Sequence, residues 1–352
     1  MEEEKILYAT IEEQIEKLKR QGLIIDDINF AKTELELYGY SNLIKSYRDP
    51  YTIVSEGTKI YRSGITFEQI WSLYILDKNL RNAVMASMLD LEEYLKEAAA
   101  DVIANKYGTN QNNYLQFRNY VNKKKRKKRF ALPSILDKLK EALETDKAPV
   151  AHYLQKYGIV PPWILFKSIY FSTIVNFINL FKSEEQLALA SKLYNTDTLN
   201  MDDRTLTSLM LDTLFICIEY RNLAAHGGRI YNHECNSKLR FSSEANDKLH
   251  GFSQLLFLLN MLKYPLPFEN LSNALNHQLS RHCSLYPEDI TYLGQILNIN
   301  IIQRTPVWIA AKSSKYHMDQ HCCGIKNPIE LELSDAKEQG LQPCKKCCHE
   351  NL

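Results

Sequence analysis

Three groups of residues have the types and spacing to do chemistry. The densest runs Arg221-Asn222-Leu223-Ala224-Ala225-His226-Gly227-Gly228-Arg229-Ile230-Tyr231-Asn232, with two arginines, a histidine and two amides in twelve residues. An imidazole titrates near neutrality and can take or give a proton, and a guanidinium fork can hold a phosphate and offset charge growing on it. The second group is His317-x4-Cys322-x21-Cys344-x2-Cys347, one imidazole and three thiols, the donor set of a closed tetrahedral metal site. The third is Lys123-Lys124-Lys125-Arg126-Lys127-Lys128-Arg129, seven consecutive positive charges. Such a run is either a solvated loop or a track for phosphates.

The first group closes an apolar run that the spacing predicts to be a buried helix from Arg204 to about His226, with Leu206, Leu209, Met210, Leu214, Cys217 and Ile218 inward. On that helix Asn222 and His226 share a face, and Arg229 joins them if the helix continues. Arg221 lies five residues before His226, roughly 140° round the axis, but its long side chain can curl into the same cleft. Gly227-Gly228 are expected to loosen or end the helix and to leave the segment after it flexible. Spacing alone leaves two readings open: polar groups that satisfy buried carbonyls, or polar groups that line a site.

The elements that must position these groups are mostly helical. Thr10 and Glu13 have capping-box spacing for a helix to Gln21, and Asp26 or Asp27 can cap a second one reaching Tyr38, before a turn at Gly39. Asp49-Pro50 lies in a polar loop. Thr66 to about Lys106 is a long helical pattern with a break expected near Asp77. Pro161-Pro162-Trp163 opens a core helix through Ile178, and a last strong helix spans about Asn246 to Leu262. Val307–Ala311 is the first convincing strand and Ile329–Leu333 the second, followed by a small helix with Ser334 as its cap and Gly340 after its end.

Composition narrows the classes. The chain has 352 residues, 45% hydrophobic and 24% charged, which suits one large domain and something smaller. Net charge is only +1, so nucleic-acid binding must rest on a local patch. No apolar run reaches about 18 residues and the start lacks the regions of a signal peptide, so a cytoplasmic protein that does not enter the membrane is expected. Five of the eight cysteines cluster near the C-terminus, a pattern that in a reducing compartment points to metal.

The motif Arg221-x4-His226 resembles the signature of HEPN ribonucleases. The fuller run through Arg229, Tyr231 and Asn232 is similar to the form in the Abi (abortive infection) family of bacterial phage-defence proteins. Four further blocks resemble that family in order: Gln14–Asp27, Tyr38–Leu43, Phe67–Arg81, and Pro161–Trp163 with the helix after it, so the likeness covers roughly residues 5–265. The resemblance implies a mainly α, HEPN-type helical domain whose two copies dimerise so that both motifs meet in one cleft. It implies metal-independent RNA cleavage, with His226 as general acid or base, Arg221 as phosphate clamp and Asn222 orienting substrate or histidine. Arg229, Tyr231 and Asn232 would contact substrate or support the site; Lys123–Arg129, if not a solvated loop, would add phosphate contacts on the strength of its charge alone. Some HEPN proteins bind RNA without cutting, so a non-cleaving module for a structured or noncoding RNA is the competing reading, and a purely structural interaction protein a third. A noncoding-RNA or protein antitoxin is an expected partner.

The order Lys315-Tyr316-His317, Cys322, Ala336-Lys337, Gly340, Pro343-Cys344-x2-Cys347 resembles small zinc-binding modules similar to the Ada metal-binding domain. His321, Cys323, Cys348 and His349 crowd the same places, and the resemblance favours His317, Cys322, Cys344 and Cys347. Four protein ligands leave no open position, so this zinc would be structural. The layout expected is a helical domain over 1–275, a connector over 276–306 and a small α+β zinc-binding domain over 307–352.

Overall fold

The computed structural model describes residues 8–55, 57–123, 127–302 and 306–348. The fold is mainly α, built on one helix, Phe67–Tyr107. Thr66 starts it by accepting the Gln69 N–H at 3.1 Å, and Gly108, at φ +80°, stops it. Its 41 residues make a rod of about 60 Å at 1.5 Å per residue. Phe67, Ile70, Leu73, Leu80, Val84, Leu91, Leu95 and Ile103 are fully buried along it. The expected break at Asp77 does not occur. The Asp77 carboxylate takes its donors from other parts of the fold, so the helix carries a buried charge without unwinding.

Against this rod pack the helices Ser183–Leu193, Asp203–Ala225 and Leu266–Leu285. The last crosses residue 275. Leu279, Cys283, Leu293 and Leu297 lie in the main core, so the stretch read as a connector is part of the helical body. Polar ties fix it there: His282 Nε2 meets Asp289 Oδ2 at 2.9 Å, His282 Nδ1 meets Ser72 Oγ at 2.8 Å, and Tyr51 donates to Asp289 at 2.7 Å.

The N-terminal reading is realised closely. Ile11–Arg20 carries the Thr10/Glu13 capping box, and Asp27 caps Ile28–Tyr38. The polar loop after it holds an antiparallel hairpin, Thr52–Ser55 with Thr58–Tyr61, which the sequence pattern did not announce. Two expected helices are interrupted. The run after Pro161 is a turn of helix at Pro162–Leu165, a 3-10 turn at Phe166–Ser168 and a helix at Phe171–Ile178. Extended backbone at Ile169 and Tyr170 redirects the chain so that apolar residues on every side of the run find cover. The run toward Leu262 is Ser243–Lys248 and Gly251–Asn260. Gly251 sits at φ +56°, and a Cβ there would lie 2.7 Å from the Ile296 carbonyl oxygen, so only glycine permits that approach.

The C-terminal unit has its own small core of Val307, Tyr316 and Ala336. Pro306–Ile309 pairs antiparallel with Ile329–Glu332, and Lys315–Tyr316 pairs parallel with Gln342–Pro343. The helix Leu333–Glu338 is capped at Glu332 and so starts before Ser334. Among the described residues no helix is long and apolar enough to cross a membrane.

Candidate functional site

The helix Asp203–Ala225 ends with His226 as its C-cap residue. Gly227 N–H donates to the Ala224 carbonyl at 3.2 Å and Gly228 N–H to the Leu223 carbonyl at 2.8 Å, the two bonds of a Schellman cap. Gly227 has φ +71°, and a Cβ on Gly228 would come within 2.2 Å of Leu223 Cδ1. The glycine pair therefore locks the helix end, in place of the loosening expected. His226 is exposed there, with Arg221 and Asn222 half-buried one turn before it. Arg221 Nη1 donates a long 3.4 Å bond to Asn222 Oδ1. These three side chains occupy one accessible helix end.

Arg229 does not continue that face, because the helix has stopped. Its Nη1 donates to the Ser46 carbonyl at 2.6 Å. Tyr231 is 1% exposed, stacked 5.8 Å from Tyr47, with its hydroxyl 3.3 Å from that of Tyr292. Asn232 is half-buried beside it. Tyr231 is thus a core residue that anchors the chain after the motif.

Residues 226–242 contain no helix or strand. A loop of this length is usually functional or disordered, and here three carboxylates hold it. Asp77, 0% exposed, accepts the N–H groups of Ile230 and Tyr231 at 2.9 and 2.8 Å on Oδ1. Its Oδ2 takes the Tyr47 hydroxyl at 2.5 Å and Arg81 Nη1 at 2.7 Å. Burial pushes the Asp77 carboxyl above the usual range, while Tyr47, Arg81 and the two N–H groups pull against it. Glu219 Oε1 meets His233 Nε2 at 3.0 Å and accepts the Asn236 N–H at 2.8 Å. Despite its burial, these bonds hold Glu219 below the usual carboxylate range, the Asn236 N–H first among them. Asp212, 2% exposed, accepts the N–H groups of Arg240 and Phe241, and Arg240 Nε at 2.7 Å. Sequence reading missed all three. The signal for Asp77 and Asp212 is an acidic residue inside an apolar helical stripe.

The basic run stands apart from this end. Lys123 Nζ donates to Asn179 Oδ1 at 2.9 Å, Lys127, Lys128 and Arg129 are exposed, and Arg129 lies 4.6 Å over the Phe130 ring. Lys124, Lys125 and Arg126 fall outside the described residues. The run follows a segment tied to the far end of the long helix, where Tyr107 donates to the Asn119 carbonyl at 3.1 Å. Asp77 and Tyr107 are separated by thirty residues of helix, about 45 Å. Of the described members of the run, Lys123 is tied to Asn179 and Arg129 lies over Phe130, away from the motif of the same chain.

At the C-terminus the structure gathers the cysteines and histidine. His317 is held by reciprocal backbone bonds with Trp308 at 2.8 and 2.9 Å, and Cys344 N–H donates to the Tyr316 carbonyl at 2.9 Å. One donor atom each from His317, Cys322, Cys323 and Cys344 lies within 4.8 Å of the others. Cys347 Sγ is 3.6 Å from His317 Nδ1. A tetrahedral ion with metal–sulfur bonds of about 2.3 Å and metal–nitrogen bonds of about 2.0 Å spaces its ligands roughly 3.5–3.8 Å apart. Cys322 to Cys344 at 3.9 Å and His317 to Cys347 at 3.6 Å match those edges. Cys322 to Cys323 at 3.3 Å is short for one, but Cys323 to Cys344 at 3.9 Å matches, so Cys323 and Cys347 both stand where a fourth ligand would be. The Lys346 N–H, aimed at Cys344 Sγ from 3.5 Å, pushes that thiol down to about 7, toward the thiolate that binds metal. These residues can hold a metal ion.

No curated protein and no solved structure matches the chain. The profile of the Abi-like protein family matches residues 33–232, more than half of the sequence, from the second helix through the motif to Asn232. The chain belongs to the Abi-like protein family.

Proposed function

We propose that this protein is a homodimeric HEPN endoribonuclease that cuts RNA without a catalytic metal. Its family links it to abortive infection defence. The observation that carries the reading is the accessible end of the motif helix. His226 is the cap residue, Arg221 and Asn222 stand one turn earlier, and the loop behind them is fixed by Asp77, Glu219 and Asp212.

In this reading the His226 imidazole takes the proton from a ribose 2′-OH. The 2′-oxygen attacks the adjacent phosphorus, the bond to the 5′-oxygen breaks, and that oxygen leaves with a proton. The products are a 2′,3′-cyclic phosphate and a 5′-hydroxyl. One imidazole cannot accept and donate in the same step, so the second proton comes from His226 of a second copy facing the first. Arg221 meets the charge on the non-bridging oxygens. A positioned acid or base contributes about 10²–10⁴-fold.

The C-terminal cluster then holds a structural zinc, a role supported by its thiolate-rich donor set and lack of a vacant fourth position. Zinc would tie the two short strand pairs together and take no part in cleavage. Product ends test the reading. Wild type in chelating buffer should leave 2′,3′-cyclic phosphates that Arg221→Ala and His226→Ala do not. RNA bound tightly with no new ends would replace it with the non-cleaving RNA-binding function.

A further inference from the structure

Beyond the far end of the long helix lies a groove of about 760 Å³ that neither the motif nor the metal cluster uses. Gln111, Asn112, Gln116, Phe117, Arg118 and Lys140 line it, and its wall includes no carboxylate. Phe117 is 49% exposed, although the turn that carries it is rigid. Asn119 Nδ2 donates to the Asn113 carbonyl at 2.8 Å, Tyr114 OH to the Val160 carbonyl at 2.6 Å, and Tyr120 OH to the Tyr114 carbonyl. These buried anchors leave the phenyl ring facing water on a fixed platform. Arg118 is held by one bond, Nε to Gln116 Oε1 at 2.8 Å, and among the described residues its two Nη groups have no partner. The Asn112 side-chain amide is exposed and likewise without a partner among the described residues. The basic run begins four residues after Asn119.

We infer that this groove binds a single-stranded segment of RNA, one base stacking on Phe117 while Arg118 and Lys140 take the phosphates. An aromatic face serves any unpaired base, amides can bond its edge, and cations follow the backbone. A paired base would present neither its face nor its Watson–Crick edge, so the groove selects against duplex. It lies past Tyr107, which is about 45 Å from Asp77 along the helix, and so is a holding site remote from the chemical step in its own chain. The inference rests on the RNA reading above.

The test measures binding of a labelled, unstructured RNA of about 16 nucleotides to the full-length protein carrying His226→Ala, which prevents cleavage during the titration. Phe117→Ala should raise Kd about tenfold or more, and Phe117→Trp should restore it. Arg118→Glu should weaken binding and flatten its salt dependence. In the cleavage-competent protein, Phe117→Ala should raise KM with kcat unchanged. If the parent protein binds RNA and Phe117→Ala and Arg118→Glu bind within twofold of it, the groove is not the site, and the nuclease reading stands. If the parent protein binds no RNA, the RNA reading fails and this inference with it. Equal dependence on Phe117 for a duplex of the same length would also overturn it.

Discussion

The loop after the motif and the small C-terminal unit are both poor in regular structure, yet opposite means hold them. Residues 226–242 are tied by three buried or half-buried carboxylates whose oxygens accept backbone N–H groups, and Tyr231 sinks into the main core. Among the described residues the C-terminal unit has a small core of its own, Val307, Tyr316 and Ala336, and gathers thiols and an imidazole beside it. A carboxylate that organises a loop is built into the chain. A ligand cluster would organise its surroundings only once an ion arrives, so on the zinc proposal order in the unit follows metal supply.

Removing the metal should break this contrast most visibly. Structural zinc contributes about 10–16 kcal/mol in small domains, so chelation or Cys344→Ser should leave residues 306–348 exchanging amide hydrogens freely. The helices Phe67–Tyr107 and Asp203–Ala225 should keep their protection. A chelated protein protected throughout would show that the unit needs no ion. Asp77→Ala should do the reverse, costing about 3–5 kcal/mol as Arg81 loses its buried partner. Thermal unfolding should shift down and residues 229–232 should lose protection while the C-terminal unit is untouched. Glu219→Ala should cost about 2 kcal/mol and free residues 233–237, because the hydrogen bonds that His233, Asn236 and Ser237 make to a charged acceptor are lost. Gly228→Ala is the mildest, at about 1 kcal/mol, since the half-buried Leu223 side chain can turn to admit the new Cβ. An unchanged melting temperature would mean the cap is looser than its two bonds indicate.

What was legible from sequence follows from the range over which each signal acts. The Thr10 cap, the start of the long helix beside Thr66, its apolar stripe and the stop at His226 are local, and the structure carries them as read. The gathering of His317, Cys322 and Cys344 was legible from ligand spacing, whereas Cys323 in place of Cys347 as the fourth member of the close group was not. Asp77 looked like a helix breaker because its donors, Ile230 and Tyr231, are more than 150 residues away. Whether Tyr231 contacts substrate or supports the site was open from sequence because its polarity was visible and its partners Tyr47 and Tyr292 were not. The break at Gly251 is set by the Ile296 carbonyl, again a distant neighbour. The site's residue types were written locally; what holds them was written across the whole chain.

The central claim is that the motif end does the chemistry and the metal unit does not. It is tested most directly by single-turnover RNA cleavage, comparing the chelated wild type, Cys344→Ser and His226→Ala. The account predicts that the first two retain cleavage and that His226→Ala loses about 10²–10⁴-fold. Cleavage that disappears with the metal and survives in His226→Ala would contradict it.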